Sequence, residues 1–207
     1  MQPADVMTRA SDVAVGIVRG VAPEHLDGPT PCPELTVRGV VNHLVLWTGV
    51  RGRACALKQP PQEVADDHDF TGDADWAQAY AVRSAATAAA WSDPAAWEGE
   101  TSLTGAGSMP ALFVGGIVLC EWVLHAWDLA VATGQEPTVD DDLAAAVYAD
   151  VAGRAEIARR YGAFGSEVPV PATATLFDRA LGLSGRDPSW KRPVRRGSPS
   201  PRSSSDL

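Results

Sequence analysis

Residues 109–127 read MPALFVGGIVLCEWVLHAW, and the fold turns on what this stretch is. It approaches the length of a membrane span. It also carries Glu121 and His125, with Gly115-Gly116 near its start. Ionisable residues in a span are costly, and no basic flank anchors this one. A helix at the centre of a bundle fits better, apolar on every side because neighbours cover it. The helix is predicted over 110–132, ending at Thr133-Gly134, where glycine takes the left-handed closing position. No membrane is expected as a partner.

Working outward, helical periodicity dominates. Val6, Ala10, Val13, Ile17 and Val21 fall at three- and four-residue steps over 5–21. The stretch PEHLDGPTPCPEL (23–35) is dense in Pro, Gly and Asp and reads as a loop. Thr36 then stands where an N-cap belongs, ahead of a helix with Val37, Val40, Val41, Leu44 and Thr48 on one face. An Ala-rich helix is predicted from Trp76 to Trp91, and the connection SDPAAWEGETSLTGAGS has room for a short hairpin. VDDDLAAAVYADVAGRAEIARRYG opens with acids and closes with Arg159 and Arg160, as the helix dipole favours. A short helix is predicted near 173–183. Four long striped helices without strand alternation indicate an all-α fold: a four-helix bundle with long crossover loops and a short C-terminal helical appendage. The bundle is assigned to 1–187. The Pro/Ser/Arg-rich segment 188–207 is expected to be a disordered basic tail.

The chain has 207 residues, with Lys+Arg 17 against Asp+Glu 26 and a net charge of −9. An acidic surface repels phosphate backbones, so nucleic acid is not an expected partner. Cys32, Cys55 and Cys120 form no CxxC pair, and an odd number cannot all be bridged internally. The opening MQPADVMTRASD lacks the basic and apolar stretches of a signal peptide. A cytoplasmic location follows as the expectation. The oligomeric expectation is a monomer or homodimer, with Trp91 and Trp97 as candidate exposed contacts.

Two of the four histidines, His25 and His68, fall in polar loops, where exposure is expected. The others, His43 and His125, lie within apolar helical segments. Glu121 is four residues before His125, so both reach one point from the same helix face. Asp128 lies three residues on and is placed to orient a ligand histidine or to bond to a neighbouring loop. With His43 from another helix, the set is two histidines and one carboxylate with positions left open. Those donors suit zinc, and also nickel, iron or manganese. The alternative is a buried polar network in which Glu121 and His125 only hydrogen-bond. On the Ala-rich helix, Trp76, Tyr80, Arg83 and Thr87 share a face. If it lines the pocket, Arg83 can pair with a substrate carboxylate and Tyr80 can donate a hydrogen bond. Otherwise it is an interfacial stripe with a snorkelling arginine. Cys120 reads as a buried filler, and Cys32 has no base adjacent in sequence. No phosphate loop, dinucleotide fingerprint or nucleophile elbow is present.

The segments PTPCPELTVRGVVNHL (29–44) and LCEWVLHAWDLAVATGQ (119–135) resemble the metal-binding family that contains the N-terminal domain of mycothiol-dependent maleylpyruvate isomerase, a DinB-like four-helix bundle family of actinobacteria. EVPVPATATLFDRALGLSGRDP (167–188) resembles the closing segment of its short members. The resemblance implies a metal triad at His43, Glu121 and His125, a divalent ion (zinc foremost), and mycothiol or another low-molecular-weight thiol as cosubstrate. It further implies a transferase or isomerase acting on a small molecule, with hydrolysis as the runner-up chemistry. Two departures stand out: Leu35 follows PCPE where relatives have tryptophan, and the isomerases' additional C-terminal domain is not expected in a chain of this length. A metal- or ligand-binding bundle without turnover is the alternative function.

Overall fold

The computed structural model describes residues 3–65 and 68–193. Helix α1 (Pro3–Arg19) buries Val6, Ala10 and Ile17, with Val13 partly covered, as its stripe predicts. The next helical segment begins at the expected cap, where the Thr36 hydroxyl accepts from the Gly39 N–H at 3.3 Å. It is not one regular helix, however. Helix α2 (Val37–Leu44) runs into a π-helical stretch, Val45–Arg51, and then α3 (Gly52–Ala56). The Gly52 N–H bonds five residues back to Trp47. The Gly52 carbonyl is drawn off to the Trp91 indole N–H at 3.0 Å. Such wide turns are uncommon and concentrate near functional positions.

Helix α4 (Trp76–Trp91) has the predicted bounds. The connection after it holds a two-stranded antiparallel hairpin, β1 (Glu100–Thr101) and β2 (Met109–Pro110). Helix α5 (Ala111–Thr133) closes at Gly134 with φ +77°. By length and composition α5 could cross a membrane, but 78% of its most apolar window is buried inside the protein. It is the core helix. Trp122, Val123, Leu129 and Ala130 lie on different sides of it and are all fully covered.

Helix α1 packs on α4 and α5, α2 packs on α5, and the π-helical stretch packs on α4. These form the four-helix set. The appendage is larger than one short helix, because α6 (Asp141–Arg160) lies outside that set. It packs mainly on α7 (Leu176–Leu183) and leans on α5 and α1. Its buried residues Leu143, Val147, Val151 and Ala155 make one narrow stripe, enough to dock on a bundle but not to enter it. Asp140 caps it, accepting from the Leu143 N–H at 3.1 Å.

Trp91 and Trp97 are not exposed contacts. Trp91 is fully buried and meets Trp97 edge to face at 4.9 Å. The large apolar residues most open to solvent are Tyr161, Leu112 and Val82. Of the segment assigned to a tail, 194–207 lies outside the described residues. Within 188–193, Trp190 packs half-buried against the core.

Candidate metal centre

The last turn of α2 carries His43, and the middle of α5 carries Glu121 and His125. Packing of α2 on α5 brings the three together. One carboxylate oxygen, Oε2 of Glu121, lies 2.6 Å from His43 Nε2 and 3.3 Å from His125 Nε2. All three donor atoms lie within 4.8 Å of one another. Ligand atoms about 2.1 Å from a tetrahedral ion stand roughly 3.4 Å apart. The Glu121–His125 separation meets that spacing, and the His43 contact must open by under an ångström. Two imidazoles and a carboxylate are a donor set that fits zinc and its neighbours. Side-chain exposure falls from 27% at His43 and 24% at Glu121 to 11% at His125, so the group opens to solvent on its His43–Glu121 side.

Behind His125 stands a second layer. Its Nδ1 lies 2.9 Å from Asp128 Oδ2, and a proton held between them would leave Nε2 as the lone-pair donor once the imidazole is neutral. Asp128 is fully buried and is held in turn by Arg186, Nε to Oδ1 at 2.9 Å and Nη2 to Oδ2 at 2.7 Å. The Cys32 thiol donates to the same Oδ2 at 3.1 Å. Cys32, His125 and Asp128 also form a possible ligand group. Arg186 occupies both Asp128 oxygens, however, and this cluster faces Nδ1 rather than Nε2, so the group containing His43 is the better cation site. Cys32 therefore lies on the far side of the imidazole from Glu121. Cys55 and Cys120 are turned to the Ser102 carbonyl and to Asp150. Neither is hydrogen-bonded to the triad, although Cys120 lines the same cleft as Glu121.

Electrostatics follow the geometry. Burial opposes ionisation of Glu121, but His43, and then His125, hold its carboxyl well below the usual range. Burial likewise opposes a charged Asp128, and the Arg186 guanidinium ahead of His125 overcomes it. Burial disfavours a protonated His125, yet the Asp128 carboxylate, with Cys32 and Glu121, raises its pKa well above the ordinary value in the metal-free protein.

Arg186 reaches Asp128 because of the turn after α7. Gly185 adopts φ +87°, and a Cβ there would stand 2.7 Å from the Gly165 Cα. Only glycine allows the chain to reverse so close to another backbone. In the loop before α2, Thr30 fixes Cys32. Its hydroxyl oxygen accepts from the Cys32 N–H at 3.1 Å, and its O–H donates to the Leu35 carbonyl at 2.7 Å.

The remaining candidates divide. Asp128 orients His125. Tyr80 is buried in the core, its hydroxyl 3.4 Å from Thr48 Oγ1, and burial pushes its pKa up to about 12. Arg83 is exposed, stacks over the Phe70 ring at 5.9 Å and lines a separate groove with Gly49 and Arg53. Neither is hydrogen-bonded or ion-paired to His43, Glu121 or His125. His68 is exposed as expected, but His25 is half-buried, with its Nδ1 sealed from solvent and unpaired among the described residues. Trp47, in the π-helical stretch, stacks on His43 at 5.7 Å, and Arg51 stacks on Trp47 at 4.5 Å. Arg186 and Cys32 are the site residues that sequence reasoning missed. Each pairs with Asp128 from a distant segment, and no local spacing signals either pairing.

A helical bundle whose α2 and α5 converge two imidazoles and a carboxylate defines the DinB-like class. The sequence profile of the mycothiol maleylpyruvate isomerase N-terminal domain matches residues 7–130, and the chain belongs to that family. The match includes His43, Glu121, His125 and Asp128 and stops short of Arg186. Two uncharacterized proteins of Mycobacterium tuberculosis, from two strains, are each 30% identical over 190 residues, covering 90% of this chain and 98% of theirs. The crystal structure of the mycothiol-dependent maleylpyruvate isomerase shares the fold with a TM-score of 0.56 at 14% identity, covering 90% of each chain. The two folds thus correspond over nearly the whole of both chains.

Proposed function

We propose that this protein is a divalent-metal-dependent enzyme of the mycothiol-dependent isomerase or transferase type, acting on a small electrophilic molecule. The observation that carries this reading is the convergence of His43 Nε2, Glu121 Oε2 and His125 Nε2 at a point open on one side. Family membership and the isomerase-like fold support it.

His43, Glu121 and His125 would hold the ion, which when bound favours thiolate over thiol at neutral pH and polarises the acceptor. Asp128 keeps the His125 proton on Nδ1, so that Nε2 remains a lone-pair donor. Arg186 fixes Asp128 and offsets its charge. Glu121 brings one negative charge to the site, leaving a bound dication net positive and attractive to a thiolate. Cys32 and Cys120 are each hydrogen-bonded to a carboxylate and Cys55 to a carbonyl, which favours an external, low-molecular-weight thiol such as mycothiol. The same reading places the enzyme in the cytoplasm, where its three free cysteines stay reduced.

The test is metal content by elemental mass spectrometry on untagged protein beside His43→Ala and Glu121→Ala. The expected result is about one equivalent of a divalent transition metal, zinc foremost, lost in both variants. Metal-loaded protein should then consume mycothiol with small electrophiles as a transferase, or convert them only when mycothiol is present, and without consuming it, as an isomerase. Absence of metal after reconstitution with zinc, nickel and manganese removes the metalloenzyme reading.

A further inference from the structure

From Glu121 the outward stripe of α5 runs back through Ile117 and Phe113 toward Met109. Across from it stand Ile157 of α6 and Tyr161 and Phe164 just beyond, enclosing a cleft of about 240 Å³ that reaches Glu121. Glu121 therefore belongs to both features: its carboxylate faces the two histidines and the residue lines the cleft.

The cleft's other charged residue is Arg154, and its charge is already taken. It pairs with Asp150, donates from Nη1 to the Phe113 carbonyl at 3.1 Å and lies over the Phe113 ring at 4.4 Å. Gly116 makes that possible, because a Cβ there would overlap both the Asp150 carboxylate and the Arg154 guanidinium. An anion entering the cleft finds no uncommitted cation, whereas a hydrocarbon group finds walls of Phe, Ile and Tyr. Ile157 and Tyr161, at the mouth, are 44% and 80% exposed. Exposed apolar residues grouped around a concave site mark a place where something apolar is covered.

We propose that this cleft takes a hydrocarbon portion of the substrate, one ring or a short branched chain, while the reacting end lies at His43, Glu121 and His125. The second half of this statement rests on the metal reading above. Size supports the class of ligand: about 150 Å³ suffices for benzene in an engineered cavity of another protein. Drug-sized ligands need roughly 300 Å³ or more. The cleft thus selects a small apolar group rather than a polyanion or a drug-sized ligand.

Two hydroxamates test it, acetohydroxamate and phenylacetohydroxamate, which share a metal-chelating head and differ by one ring. On zinc-loaded protein, calorimetry should show the phenyl compound binding at least about tenfold tighter, the order expected for burying a ring. Ile157→Asp, at a half-exposed position, should erase that gain. Equal affinities in the unsubstituted protein overturn the proposal. A metal-free arm uses p-cresol and the methyl NMR signals of Ile117 and Ile157 in chelator-treated protein. Saturable shifts of both are expected, and their absence overturns the cleft regardless of metal. If p-cresol binds while zinc does not, the metal reading fails and the apolar cleft stands by itself.

Discussion

Arg186 and Asp128 meet fork to fork, with two bonds of 2.9 and 2.7 Å between groups that are 9% and 0% exposed. They are 58 residues apart in sequence, and the pair ties the C-terminal segment to the imidazole on α5. Removing one partner of a buried pair leaves the other charge uncompensated, a loss of about 3–5 kcal/mol. Arg186→Leu should destabilise the fold by that order in urea denaturation. It should also weaken zinc binding by about 10–100-fold in chelator competition, as removing the support of a ligand does. Unchanged affinity would show that Asp128 orients His125 without help.

Gly185→Ala tests the turn that delivers Arg186. With φ at +87° and the Gly165 backbone 2.7 Å from the new Cβ, the chain must shift rather than a side chain. A cost of about 2 kcal/mol or more is expected, with zinc affinity falling alongside. A thermal midpoint equal to that of the unsubstituted protein would sink this account of the turn.

The two possible ligand groups share His125 and are separable by substitution. His125→Ala should abolish tight metal binding while far-UV circular dichroism stays nearly unchanged, since the helix is held by its apolar neighbours. Cys32→Ala should retain about one equivalent of metal, because its sulfur faces Nδ1. Metal lost with Cys32 but kept in His43→Ala would move the ion to the Cys32–Asp128 side.

The metal-free protein should be most stable in mildly acidic solution. Glu121 and Asp128 have depressed folded pKa values, so their contribution is complete above the unfolded values near 4 and is lost as pH falls through the folded ones. His125 is raised, so its contribution is complete below about 6.5 and is lost as pH rises through its folded value. Stability measured against pH on chelator-treated protein should therefore peak between about 4 and 6.5. Zinc should move the optimum upward, since it requires the neutral imidazole. A peak above pH 8 without metal would contradict the Asp128–His125 coupling.

Legibility in the sequence followed the range of the interaction. Thr36 as a cap, Gly134 as a stop and Trp76–Trp91 as a helix are local features, set by side-chain chemistry within one or two turns. The π-helical stretch after His43 was hidden because no local residue signal marks its wide turns, and the contact at its end, the Trp91 indole on the Gly52 carbonyl, comes from 39 residues away. The buried boundary runs through the face that Tyr80 and Arg83 share, leaving one inside and the other in solvent, and helical spacing does not say where that boundary falls.

What the sequence by itself determined is the helical ladder and the Glu121–His125 pair, because the helical repeat fixes which residues share a face. Only the tertiary structure decided that His43 would stand 2.6 Å from Glu121, and that Cys32 and Arg186 would close on Asp128. Those meetings depend on helix packing and on how two loops return to α5. A buried carboxylate needs partners, but its own sequence neighbourhood does not specify which distant donors will supply them.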